Sequence, residues 1–230
     1  MRTYRLEIRL IQVAIVLSIF VVIAGFLGAW GSSKGQRADS SLPDVSKTAQ
    51  TQTLENTKIV ALGDSFTYGY PRDREHSWVA VLEKSLNTSV VNKGKGYQTS
   101  KDLLSRFDAD VVTEKPGRVI LFGGNGDALR SVSLEEYQSN MKALVDKSRS
   151  NNIIPLLALP MPYPGAQKMI GDMRTWMQDY AKTERILVLD FASAVMDADG
   201  KYLEGFSDDK KYPTSKGYQA MGEYAARVLK

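Results

Sequence analysis

The sequence predicts a three-layer α/β domain over Lys58 to Lys230, with helices on both faces of a five-stranded parallel sheet. One observation behind this is a series of short runs that are apolar at successive positions, the pattern of strands covered on both faces. The second is that stretches with helical spacing lie between those runs, so strand alternates with helix along the chain. The third is an ordinary globular composition, 43% apolar and 24% charged, which excludes a disordered or fibrous chain.

The strand runs are Ile59 to Leu62, Val90 to Val91, Val119 to Phe122, Ile153 to Leu159 and Ile186 to Leu189. Between the third and fourth, Ser133 and Glu136 form a capping box before Leu134, Tyr137, Met141, Leu144 and Val145, which recur on one helical face. Met169, Met173, Met177 and Tyr180 mark a second helix, whose methionines read as core. The final helix opens after Pro213 and Thr214 and turns Tyr218, Met221, Ala225 and Val228 inward.

The N-terminal part is of another kind. Leu10 to Trp30 carry no charge, and at about 1.5 Å per residue they span the roughly 30 Å hydrocarbon core of a bilayer. Arg2, Arg5 and Arg9 precede them, so residues 1–30 are expected to be an uncleaved anchor with the remainder outside the cytoplasm. The alternative is secretion after removal of a signal peptide, for which Ala29-Trp30-Gly31 is a poor cleavage site. Residues 31–57 read as a flexible polar tether.

The net charge of +4 is mild and the basic residues are scattered, which argues against nucleic acid as a partner. No cysteine is present, excluding disulfides, thiolate zinc sites and a lipid-modified cysteine.

In parallel α/β sheets ligands collect beyond the carboxyl ends of the strands, so the loops after each run carry the candidate chemistry. The first holds Gly63-Asp64-Ser65, a serine at a strand-to-helix turn where N–H groups favour a developing anion. Taken alone, this triplet reads first as a helix cap. Later loops hold Asn92-Lys93-Gly94-Lys95-Gly96 and Gly123-Gly124-Asn125-Gly126-Asp127, and Asp209-Lys210-Lys211-Tyr212-Pro213 stands before the last helix. Met161-Pro162-Tyr163-Pro164 reads as either a rigid loop or the wall of an acyl pocket, and the lysines nearby as a solvated rim.

In order and spacing these loops resemble the GDSL, or SGNH, serine hydrolases, from G-D-S-F-T-Y-G-Y onward. The resemblance implies a flavodoxin-like strand order and hydrolysis of a carboxylic ester in a lipid, an acylated glycan or a small molecule. It implies Ser65 as nucleophile and an oxyanion hole from the Ser65 N–H, the Gly96 N–H and the Asn125 side chain. A gapless alignment of Asn92 and Gly94 puts Tyr97 at the glycine position instead. No metal or organic cofactor is implied. The family pattern D-x-x-H-P before the last helix is matched by Asp209 and Pro213, but Tyr212 stands at the histidine position. A phenol of pKa near 10 is no base at neutral pH. The chain's one histidine, His76, lies in a segment that reads as a solvated helix start. Two classes of function follow: a serine esterase, or an impaired descendant that binds an acylated or glycan ligand.

Overall fold

The computed structural model describes residues 56–230. The expected anchor, and all of the tether before Asn56, lie outside the described residues. Among those described, no helix is long and apolar enough to cross a membrane.

Five parallel strands run in the order β2-β1-β3-β4-β5, the flavodoxin-like arrangement. They are β1 (Ile59–Gly63), β2 (Val90–Gly94), β3 (Arg118–Phe122), β4 (Ile154–Ala158) and β5 (Val188–Leu189). All of β1 is buried, and Val119 to Phe122 with Pro155 to Ala158 are buried too, so the continuous apolar runs report coverage on both faces. The register aligns Gly63 with Gly94 on one side and with Phe122 on the other, bringing the first three candidate loops to one rim.

The short α1 (Ser65–Tyr68) follows β1, and α2 (Trp78–Leu86) precedes β2. Two short helices, α3 (Ser100–Ser105) and α4 (Phe107–Asp110), lead to β3; α5 (Asn125–Leu129) and α6 (Leu134–Ser150) lead to β4. Then come α7 (Gln167–Glu184), α8 (Ala192–Val195) and the C-terminal α9 (Ser215–Leu229). In α6 the predicted Tyr137, Met141, Leu144 and Val145 are buried, and Ser133 Oγ accepts from the Glu136 N–H at 3.1 Å. Met173 and Met177 of α7 are fully buried, whereas Met169 and Tyr180 only flank the core.

The last strand is shorter than its apolar run. Arg185 adopts a left-handed conformation that ends α7, and the Ile186 N–H still bonds to Ala181 O at 2.9 Å, leaving only Val188 and Leu189 as strand. The helix start expected around His76 is a 3₁₀ turn, Arg74–His76, and α2 begins afterwards with Ser77 as its N-cap. Close approach of α9 to α2 depends on Gly222, where an added Cβ would lie 2.4 Å from Val81 Cβ.

Candidate active site

Ser65 is the first residue of α1, where N–H groups have no earlier turn to bond to. Asp64 caps that helix through a 2.9 Å bond from the Phe66 N–H. The turn is tight because Gly63 lacks a side chain: a Cβ there would meet Thr67 Oγ1 at 2.1 Å and Phe122 O at 2.7 Å. Asn92 fixes the neighbouring loop to the same turn, with Nδ2 donating to Thr67 O at 2.8 Å and Oδ1 accepting from the Gly94 N–H at 2.9 Å.

The N–H that reaches Ser65 Oγ, at 3.1 Å, belongs to Tyr97, one residue beyond the expected Gly96. Tyr97 has φ of 59°, so the loop leaves β2 through a left-handed residue; a Cβ on Gly96 would lie 3.8 Å from Ser65 Oγ. Asn125 is buried and clamped to the backbone of Met161, Nδ2 donating to its carbonyl at 2.7 Å and Oδ1 accepting from its N–H at 2.9 Å. Gly126 lets this loop pass close to the one before α3, since a Cβ there would be 2.0 Å from Gln98 O. Asp127 then turns away from the serine and accepts from the Ser100 N–H at 2.8 Å and the Ser100 hydroxyl at 2.6 Å. Ser65, Tyr97, Asn125 and Tyr212, with Asp64 and Leu129, surround one small notch with room for only about 10 Å³.

A profile of the GDSL-like Lipase/Acylhydrolase family matches residues 61–220. The chain belongs to that family. A solved structure assigned to the G-D-S-L lipolytic proteins, from Desulfitobacterium hafniense DCB-2, is 58% identical; it covers 76% of this chain and 100% of its own, with a TM-score of 0.75. Among curated proteins, the uncharacterized lipoprotein YqeF of Bacillus subtilis is 33% identical over 45% of this chain and 48% of its own. Esterase TesA of Pseudomonas aeruginosa is 30% identical over 49% of this chain and 59% of its own. The chain thus spans about half the length of these curated relatives.

Within the family framework the segment Asp209 to Pro213 is the unusual one. Tyr212 is buried, with its ring centroid 5.1 Å from that of Phe66, 4.7 Å from Tyr70 and 5.7 Å from Tyr163. Burial, then the adjacent Tyr163 hydroxyl, push its pKa above the ordinary phenol value, while Ser65 pulls weakly the other way. It is a neutral hydroxyl at any physiological pH. Asp209 Oδ1 accepts from the Tyr212 N–H at 2.9 Å, the Lys211 N–H at 2.8 Å and the Ser207 hydroxyl at 3.2 Å. Partial burial raises its pKa, but these bonds outweigh that and hold it below the usual carboxylate value. Asp209 therefore fixes the turn that presents Tyr212.

His76 does not line the notch. Its Nδ1 pairs with Asp73 Oδ1 at 2.7 Å on the surface, both side chains being more than half exposed. Lys93 and Lys95 are likewise committed to Glu114 and Asp110, at 2.8 and 3.2 Å.

One group escaped the sequence reading. Asp64 is pushed up to about 7, by burial first and with a contribution from Asp127, against the Phe66 N–H and Arg106. Its Oδ2 has no hydrogen-bond partner among the described residues. The triplet gives a capping aspartate in sequence, but only the closed layers above β1 make it a buried one. Among the described residues, no cluster of three or more His, Cys, Asp or Glu side chains is placed to hold a metal ion.

Proposed function

We propose that this domain is a membrane-tethered, extracytoplasmic ester hydrolase that acylates Ser65, and that its turnover is slow because Tyr212 occupies the place of a general base. The observation carrying this reading is the Tyr97 N–H at 3.1 Å from Ser65 Oγ, in the same notch as the Asn125 amide. Oγ attacks the ester carbonyl; the carbonyl oxygen becomes an oxyanion facing the Ser65 and Tyr97 N–H groups and Asn125 Nδ2. The serine proton passes to solvent, the alcohol leaves with a proton returned from solvent, and water then hydrolyses the acyl-serine. Losing a triad histidine costs about 10⁶ in turnover, roughly 8 kcal/mol, while oxyanion stabilisation and binding retain some 10³ over water. Substrates are lipid, acylated-glycan or small carboxylic esters, in keeping with a relative named esterase TesA.

A fluorophosphonate probe tests this directly. It should label folded wild-type protein slowly and leave Ser65→Ala untouched. A second reading, favoured by the neutral Tyr212, is ligand binding without chemistry; absence of any labelling on folded protein selects it. For location, the charge-free Leu10 to Trp30 behind three arginines supports an anchor. Full-length protein should sediment with membranes and be cleaved by protease added outside spheroplasts; release into the medium would favour signal cleavage.

A further inference from the structure

At the end of the sheet opposite Ser65, β3 begins with Arg118 and β4 with Ile154, and the register sets these two residues side by side. Ile154 and Leu187 leave 45% and 42% of their surfaces exposed there. Together with Arg149, Asn152 and Arg185 they line an open groove of about 520 Å³.

The same end of the sheet is rich in cations, and not all of them are satisfied. Lys58 and Arg149 are paired with Glu114 and Glu184, at 2.7 Å each. Lys115, Arg118 and Arg185 enter no ion pair among the described residues. Arg118 is partly buried, its Nε has no hydrogen-bond partner, and burial alone lowers its pKa with no carboxylate pulling the other way. A desolvated guanidinium left in that condition is stabilised by an anion brought from outside.

The patch discriminates between occupants. A second copy would bring the same uncommitted cations against these. Protein partners are gripped mainly through aromatic anchors, and no aromatic residue lines this groove. An anionic bilayer answers both features, since phosphates meet the cationic groups while aliphatic side chains enter the headgroup boundary. The chain also enters the domain at this end, where Lys58 O accepts from the Gly117 N–H at 3.0 Å.

We propose that this end of the domain docks on an anionic phospholipid bilayer, with Arg118 and Arg185 on headgroup phosphates and Ile154 and Leu187 in the headgroup boundary. Docking depends neither on the chemistry at Ser65 nor on an anchor, because the patch belongs wholly to the described domain. The chain has no cysteine, so one environment-sensitive fluorophore can be attached at Leu187→Cys, and in a separate variant at Leu129→Cys beside the serine notch. Each full-length protein is combined with vesicles of phosphatidylcholine alone or of phosphatidylcholine with phosphatidylglycerol. The label at 187 should shift to the blue and resist an aqueous quencher only with phosphatidylglycerol, while the label at 129 stays wet in both. Arg185→Gln, at an exposed position, should lower the ratio of docked to undocked protein about fivefold, and added salt should lower it as well. Equal exposure of residue 187 in the two vesicles, or equal shielding, overturns the assignment. Shielding in lipid-free detergent solution would give the face to a protein contact and overturn it too. Sedimentation with membranes while residue 187 stays wet leaves the anchor standing and defeats docking alone.

Discussion

Replacing Tyr212 by histidine should restore a base beside Ser65, and the size of the gain follows from what surrounds it. A complete triad histidine is worth about 2 × 10⁶ in turnover, of which about 3 × 10⁴ depends on the aspartate that orients it. Here Asp209 Oδ1 is engaged by two backbone N–H groups and the Ser207 hydroxyl, so the gain is worked for an imidazole at 212 that Asp209 does not orient. The expected increase in kcat/KM is the remaining factor of about 10², or roughly 2.7 kcal/mol. Against this, the smaller ring gives up packing on Phe66, Tyr70 and Tyr163, costing about 1–3 kcal/mol of stability. The assay is p-nitrophenyl acetate hydrolysis between pH 5 and 9, with urea denaturation to show that the variant is folded. The gain should grow through a pKa near 6.5 as the imidazole loses its proton, and should vanish in the Ser65→Ala background. Tyr212→Phe keeps the packing without a base and should gain nothing. A folded Tyr212→His protein no faster than Tyr212→Phe would refute the placement of residue 212 as the base position.

Asn125→Ala should slow fluorophosphonate labelling about 10²- to 10³-fold through loss of an anion donor, and should also free Met161; unchanged labelling would remove Asn125 from the anion site. Gly126→Ala places a Cβ 2.0 Å from Gln98 O, so it should cost about 1–3 kcal/mol in urea denaturation and suppress labelling with it. Because Asp64 is raised from 3.8 to about 7, its stabilisation is full below pH 3.8 and is lost as pH rises through 7, up to about 4 kcal/mol in all. Asp64→Asn keeps the capping oxygen, so it should flatten the fall in stability between pH 5 and 8; an unchanged pH slope in the variant would mean that Asp64 is ionised throughout.

Much of the fold was legible because parallel strands covered on both faces leave uninterrupted apolar runs, as in Ile59 to Leu62 and Val119 to Phe122. The fifth run misled because an apolar residue serves equally well behind a helix end, and Ile186 is still bonded to Ala181. At the site, Ser65, Asn125 and Tyr212 could be located from the order of the loops, since each follows or precedes an element visible in the periodicity. The Tyr97 N–H was harder, because whether residue 96 or 97 points inward depends on one left-handed φ that Tyr97 does not advertise. Asp209 reads as a triad member from its spacing to Pro213, whereas its Oδ1 bonds to the Lys211 and Tyr212 N–H groups and to the Ser207 hydroxyl follow from a local turn that spacing does not announce. Nothing in Asp64 itself announces a raised pKa; that belongs to the layers packed above it.

The chain enters the sheet at Lys58, whose carbonyl accepts from Gly117 at 3.0 Å just ahead of β3. Five-residue strands of about 3.3 Å per residue put that entry point roughly 17 Å from the rim that carries Ser65. The strands therefore set Lys58 and Ser65 at opposite ends of the sheet, so the rim that carries the serine faces away from the point where the chain enters the domain.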